Sequence, residues 1–176
     1  MKKSLKKLIV TSLFSSFVVI FTYIKISIPI GENLSMIHLG NVMCLLSGLI
    51  LGPFYGGLAS GIGSFIFDLL NPQYFFTALI SLVFKFLMAF VCGAIFNSKL
   101  QKLKLLLATL MGSLVYIFLH ELKLFIFNKY FLKFNIELNL FLLGKSLIIS
   151  IFNAVLSIVF SIIIYKFIHK KIPNLN

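Results

Sequence analysis

Long apolar stretches, interrupted by short lysine-bearing runs and by Gly-Pro or Asn-Pro pairs, leave this chain essentially one solvent to fold in. A soluble domain of 176 residues has too little interior to hide a sequence that is 60% hydrophobic and 11% charged, because buried volume is limited by length. Lipid removes that limit. A helix that crosses a bilayer needs roughly 20 mostly apolar residues, and the sequence offers such stretches at 6–24, 38–52, 55–71, 76–97, 103–127 and 139–167. Gly52-Pro53 divides the second from the third, and Asn71-Pro72 the third from the fourth, since proline stops a helix and glycine releases the backbone. The expected fold is an all-α membrane protein, a six-transmembrane-helix bundle forming one integral membrane domain over residues 1–176. The lysine-rich start followed by Leu8 to Ile24 resembles a secretory signal, but the apolar run is long and no small-x-small site follows. It reads as an uncleaved first span.

The net charge of +12 suggests nucleic acid until the positions are considered. There is no arginine, and lysines gather beside apolar stretches: Lys2, Lys3, Lys6 and Lys7 before the first, Lys99, Lys102 and Lys104 between the fourth and fifth, Lys166, Lys170 and Lys171 after the last. That is the pattern of cytoplasmic membrane flanks. With the amino terminus inside, the inner flanks hold ten lysines, whereas the outer loops hold Lys25, Lys129 and Lys133. An even span count then places both termini in the cytoplasm. Cys44 and Cys92 fall inside apolar segments and read as buried thiols. No cofactor, metal or nucleic acid is expected, and no Walker-type glycine loop for nucleotide is visible.

Ionisable residues inside a membrane are costly and face a cavity or a partner. His38, Asn41, Asp68, Lys85, His120, Glu121, Lys123 and Lys145 all fall in the outer half of the expected bundle, taking about 1.5 Å of rise per residue. The inner half is apolar or small. A channel or proton relay needs polar lining right through, whereas polar groups on one side describe a pocket open to the outside. Lys85 lies too deep to snorkel easily and needs a counter-group. Lys123 and Lys145 have the alternative of snorkelling to headgroups, His38 of starting a helix, and Asp68 of capping a turn. His120 and Glu121 point about 100° apart on a helix, so one of them pairs internally. Tyr74 and Tyr116 add phenols to the candidate pocket.

Small residues recur every four positions at Gly48, Gly52, Gly56, Ser60 and Ser64, the spacing that lets helix backbones approach closely. Thr11 with Ser15, and Ser12 with Ser16, form a similar face on the first span, available for docking another membrane protein.

The succession Ile37-His38-Leu39-Gly40-Asn41, Leu49-Ile50-Leu51-Gly52-Pro53-Phe54-Tyr55-Gly56-Gly57, Gly61-Ile62-Gly63-Ser64 leading to Asp68, then Lys85-Phe86 with Gly93, resembles the substrate-binding S components of energy-coupling factor (ECF) transporters. The resemblance implies a six-helix subunit that binds one vitamin or precursor near the outer surface and hydrolyses no ATP. It implies docking on a transmembrane coupling protein with two ATPase subunits, and toppling in the membrane to release substrate inside. The family's docking face usually carries alanines four apart on span one, where this chain has Thr11, Ser12, Ser15 and Ser16. The branch it looks closest to implies a hydroxymethylpyrimidine, pyridoxine-like or pantothenate-like solute, with His38, Asn41, Asp68, Tyr74, Lys85, Tyr116, His120, Glu121 and Lys145 as candidate substrate residues.

Two other readings compete. Gly61-Ile62-Gly63-Ser64 with His120 faintly resembles an intramembrane serine protease, but Phe65 stands where that family has glycine. A solitary small-solute permease or channel would act without ATPase partners and needs a polar path through the inner half.

Overall fold

The structure, a computed structural model, describes residues 3–30, 33–98 and 104–169. Of the lysines that set the expected orientation, Lys2, Lys99, Lys102, Lys170 and Lys171 lie outside the described residues. The chain runs α1 (Lys3–Tyr23), β1 (Lys25–Ile30), β2 (Asn33–His38), α2 (Gly40–Leu69), a short 3-10 turn (Phe75–Thr77), α3 (Ala78–Phe96), α4 (Lys104–Tyr130) and α5 (Ile136–Ile168).

Among the described residues five helices are long and apolar enough to cross a membrane, where the sequence suggested six. The difference lies in α2, which joins the expected second and third spans into one 30-residue element. That element is not straight. Gly52 has φ 78° and ψ −175°, a region open essentially to glycine alone. Pro53 follows it, at the start of the second half, where a missing N–H costs nothing. The Ser47 hydroxyl donates to the Gly56 carbonyl at 3.0 Å and lies 2.9 Å from the Ser60 hydroxyl, which reaches the Cys44 carbonyl at 3.3 Å. In a straight helix, residues 13 apart are separated by about 20 Å, so the chain reverses at Gly52 and its two halves pack side by side. A Cβ on Gly56 would lie 2.6 Å from the Gly48 Cα. The four-residue spacing of small side chains thus serves this backbone contact.

α2 sits in the middle of the bundle. Leu45, Leu46, Ala59, Met88, Cys92 and Ala108 are buried around it. The opposite faces of the other helices stay apolar and exposed, as at Phe76, Leu79, Phe118, Ile148 and Phe167, which is the arrangement a lipid solvent stabilises.

On α1, Thr11, Ser15, Val18 and Thr22 form one buried stripe. A Cβ on Gly63 would meet the Ser15 carbonyl at 2.5 Å and Val18 at 2.7 Å, which places that stripe against the second half of α2. The structure separates the two alternative pairs of the expected docking face. Thr11 and Ser15 are covered within the chain, whereas Ser12 and Ser16 are exposed beside Leu5, Leu8, Ile9, Leu13 and Ile20. The reason is angular: neighbours on a helix point about 100° apart, so the two pairs cannot share one surface.

The hairpin is a correction. The sequence reading held no strand, yet β1 and β2 pair antiparallel, with Lys25 opposite His38 and Ile30 opposite Asn33. Lys25-Ile26-Ser27-Ile28 alternates polar and apolar with the period of a strand. Pro29, which has no N–H to give a ladder, fits because each strand of a two-stranded sheet is an edge.

Candidate functional site

One cavity of about 270 Å³ lies at the hairpin end of the bundle. Each helix contributes the part of its length nearest that end: Thr22 from α1, Ser64, Phe67 and Asp68 from α2, Ile80, Ser81, Phe84 and Lys85 from α3. Tyr116, His120, Lys123 and Phe127 come from α4, and Ser146, Ser150 and Asn153 from α5. Ser35, Met36 and His38 of β2 and Gln73, Tyr74 and Thr77 of the α2–α3 connection complete the wall. Toward the other end, the buried hydroxyls of Thr109, Ser157 and Ser161 return to carbonyls of their own helices.

His38 closes β2 and is buried. Its Nδ1 accepts the Gly40 N–H at 3.1 Å, so the proton of the neutral ring sits on Nε2. Burial, then the positive charges of Lys85 and Lys25, hold its pKa well below the ordinary histidine value. The ring is therefore neutral near pH 7. Asn153 ties this strand to α5, accepting the His38 N–H at 3.4 Å and donating to the Met36 carbonyl at 3.3 Å.

Lys85 is buried. Its Nζ donates to Asn41 Oδ1 and stands 3.4 Å from the centroid of the Tyr116 ring, a cation–π position. Asn41 does not line the cavity itself; it holds the lysine that does. Asp68, buried in the last turn of α2, lies beside Ser81, with Lys85, Lys123 and Lys25 as charged neighbours. Its side chain faces the cavity and does not cap the turn.

Tyr74 packs its ring on Phe67, centroids 6.3 Å apart, and Lys25 Nζ lies 4.9 Å from Phe67 and 5.2 Å from Tyr74. Burial, with a smaller contribution from the Asp68 charge, raises the Tyr74 pKa. The phenol stays protonated, and its buried hydroxyl has no hydrogen-bond partner among the described residues.

His120 and Glu121 divide as the helix angle requires. His120 lines the cavity. Glu121 turns toward α5, where its Oε1 accepts from Ser146 at 3.0 Å and Ser150 at 2.8 Å, with His120 Nδ1 at 3.3 Å. Its other oxygen, Oε2, is buried without a partner among the described residues.

Lys145 is not brought to the cavity. It is exposed, 4.4 Å from the Phe141 ring. The cavity-facing positions of α5 are 146, 150 and 153, and residue 145 lies about 100° around the helix from 146. Sequence reasoning also passed over Asn153, Ser146, Ser150, Gln73 and Phe67. A signal existed for the first three: Ser146, Ser150, Asn153, Ser157 and Ser161 fall on one stripe of an otherwise apolar helix. Gln73 and Phe67 carried none.

The cavity thus joins hydrogen-bonding groups of both kinds, one stacked aromatic pair and two amino groups in a wall otherwise apolar. That combination can hold a small polar solute. A sequence profile of the family described as the S component of an ECF-type riboflavin transporter matches residues 2–170. An uncharacterized protein in a gap 3' region of Pyrococcus woesei is 30% identical over 95 residues, which is 53% of this chain. The match spans 62% of that relative's length.

Proposed function

Because the chain belongs to the ECF-type riboflavin transporter S component family, we propose that it captures a small vitamin or vitamin precursor on the outer face of the cell membrane for ATP-driven import by partner subunits. The family is one of transporter components, not of enzymes, and its members are multi-pass proteins of the cell membrane that bind small vitamin-like substrates and work with an ECF module. The finer reading is that two halves of α2 and four further helices make six crossings, with both termini cytoplasmic and the hairpin outside. It is supported by the chain reversal at Gly52 and by the lysine distribution.

The observation that carries the capture reading is the one-sided cavity. Polar and titratable side chains from every helix meet at the hairpin end, while toward the far half the buried hydroxyls of Thr109, Ser157 and Ser161 are spent on their own helices and that of Ser113 is buried without a partner among the described residues. A solute can enter such a site and be held; a continuous path needs more. At about 270 Å³ the cavity falls just below the roughly 300–1,000 Å³ of sites for drug-sized ligands. A single-ring or short-acid solute, of hydroxymethylpyrimidine, pyridoxine or pantothenate size, suits it better than the three fused rings of riboflavin. His38, Asp68, Tyr74 and Tyr116 would orient the ring, with His120 and Lys85 beside it and Asn41 and Glu121 as positioning residues. The exposed Ser12 and Ser16 face of α1 would meet the transmembrane coupling protein, which carries the two ATPases.

The test is a thermal-stability screen of the purified protein against vitamins and precursors. A solute that binds the folded state alone stabilises by about 2.7 kcal/mol at one hundred times its Kd. A saturable shift from one compound, together with recovery of a transmembrane partner and ATPase subunits from membranes, is expected. No shift from any compound in a folded sample would refute the capture reading.

A further inference from the structure

Amino groups outnumber free carboxylates around the cavity. Lys85 and Lys123 line it, and Lys25 stands over its Phe67–Tyr74 wall. Against these three stand two carboxylates, Asp68 and Glu121; Glu121 Oε1 accepts from Ser146 and Ser150 and lies 3.3 Å from His120 Nδ1, and its Oε2 is buried without a partner among the described residues. Among the described residues the single ion-pair contact within 4 Å is His120 with Glu121. Neither Lys85 nor Lys123 has a carboxylate at that distance. Lys85 is left with a neutral amide and a ring face for company, at a depth where charge is expensive unless it is compensated.

We propose that the solute captured here carries an anionic group, a carboxylate or a phosphate, that seats between Lys85 and Lys123. This rests on the capture reading and sharpens it. The ammonium of Lys85 is held by Asn41 from one side and by Tyr116 from another, so its direction is fixed before the anion arrives. Asp68 does not cancel the field, since it shares Lys85, Lys123 and Lys25 as neighbours. His38 records the same excess, since Lys85 and Lys25 are, after burial, what keeps it unprotonated. A neutral imidazole and a protonated Tyr74 phenol are then left to donate to the solute's oxygens. Riboflavin, uncharged at neutral pH, would leave both lysines uncompensated.

The experiment uses matched pairs that differ in the anion: pantothenate and its alcohol, pyridoxine 5′-phosphate and pyridoxine, riboflavin 5′-phosphate and riboflavin. Binding to the purified full chain in phosphatidylcholine nanodiscs is followed by calorimetry. The expected result is that in at least one pair the anionic member binds at least about 30-fold more tightly than the neutral one, as for a partly desolvated charge pair. Lys123→Gln removes most of that preference. Lys85→Gln does the same if it folds; the wild-type comparison decides without it. Equal or tighter binding of the neutral members would overturn the anion proposal and leave the capture reading standing. If no member of any pair binds, the capture reading itself fails. Stabilisation by phosphatidylglycerol equal to that by the solutes would also overturn the proposal, since the anion would then be a lipid headgroup.

Discussion

Gly52→Ala strikes the point on which the path of the chain turns. With φ 78° and ψ −175°, Gly52 occupies a region where a Cβ costs about 1–3 kcal/mol. No relaxation toward helical angles is open to it. Straightening residue 52 would pull Ser47 from Gly56 and Ser60, contacts of 3.0 and 2.9 Å that the reversal creates. For a chain of this size each kcal/mol moves the melting temperature by about 2–4 °C, so a fall of about 2–12 °C is expected. The comparison is Gly144→Ala on α5, where an added Cβ meets nothing within 4 Å. There alanine replaces glycine in a helix and gains at most about 1 kcal/mol, a rise of up to about 4 °C. Both variants are melted in the same detergent, followed by tryptophan-independent dye or light scattering. If Gly52→Ala melts within about 1 °C of the wild type, the reversal is not held by that backbone conformation and the argument from φ is wrong.

Acid should loosen the hairpin end through His38. Its folded pKa is depressed, so the neutral ring is favoured by folding. Stability is full above the unfolded value of about 6.5 and is lost as pH falls below it, at up to about 1.4 kcal/mol per pH unit. His38→Gln is expected to flatten a melting curve measured between pH 4.5 and 8, and an unchanged acid slope would dismiss the role of His38. Asn153→Ala frees the His38 N–H and the Met36 carbonyl, at about 1–3 kcal/mol if they stay dry; hydrogen exchange at residues 36–38 should quicken, and unchanged protection would show that the hairpin does not depend on α5. Tyr74→Phe removes a buried hydroxyl without a partner among the described residues. Melting of the ligand-free protein should hold or rise by up to about 1–3 kcal/mol in stability while the solute-induced shift shrinks, and a loss of ligand-free stability would contradict the geometry.

Much of this protein was decided locally. Long apolar runs dictated lipid as solvent and helix as the form that satisfies a backbone there. Gly52-Pro53 marked the reversal, because a positive φ and a missing N–H act wherever those residues stand. That Asp68, Lys85 and His120 fall toward one end of the bundle was legible too, since position along a helix is arithmetic. Direction around the helix was not. Lys145 and Ser146 are neighbours in sequence, yet one stands exposed over Phe141 and the other reaches Glu121, and which way α5 rotates is set by what it packs against. Thr11 and Ser12 part for the same reason, one taken up by α2 and the other left exposed. The pairing of Lys85 with Asn41, and the clamp of Asn153 on β2, join residues 44 and more than 110 positions apart. Such contacts depend on how whole helices settle against one another, so the sequence determined the solvent, the helices and the end of the bundle at which the polar groups gather. The tertiary structure alone decided which of those groups meet.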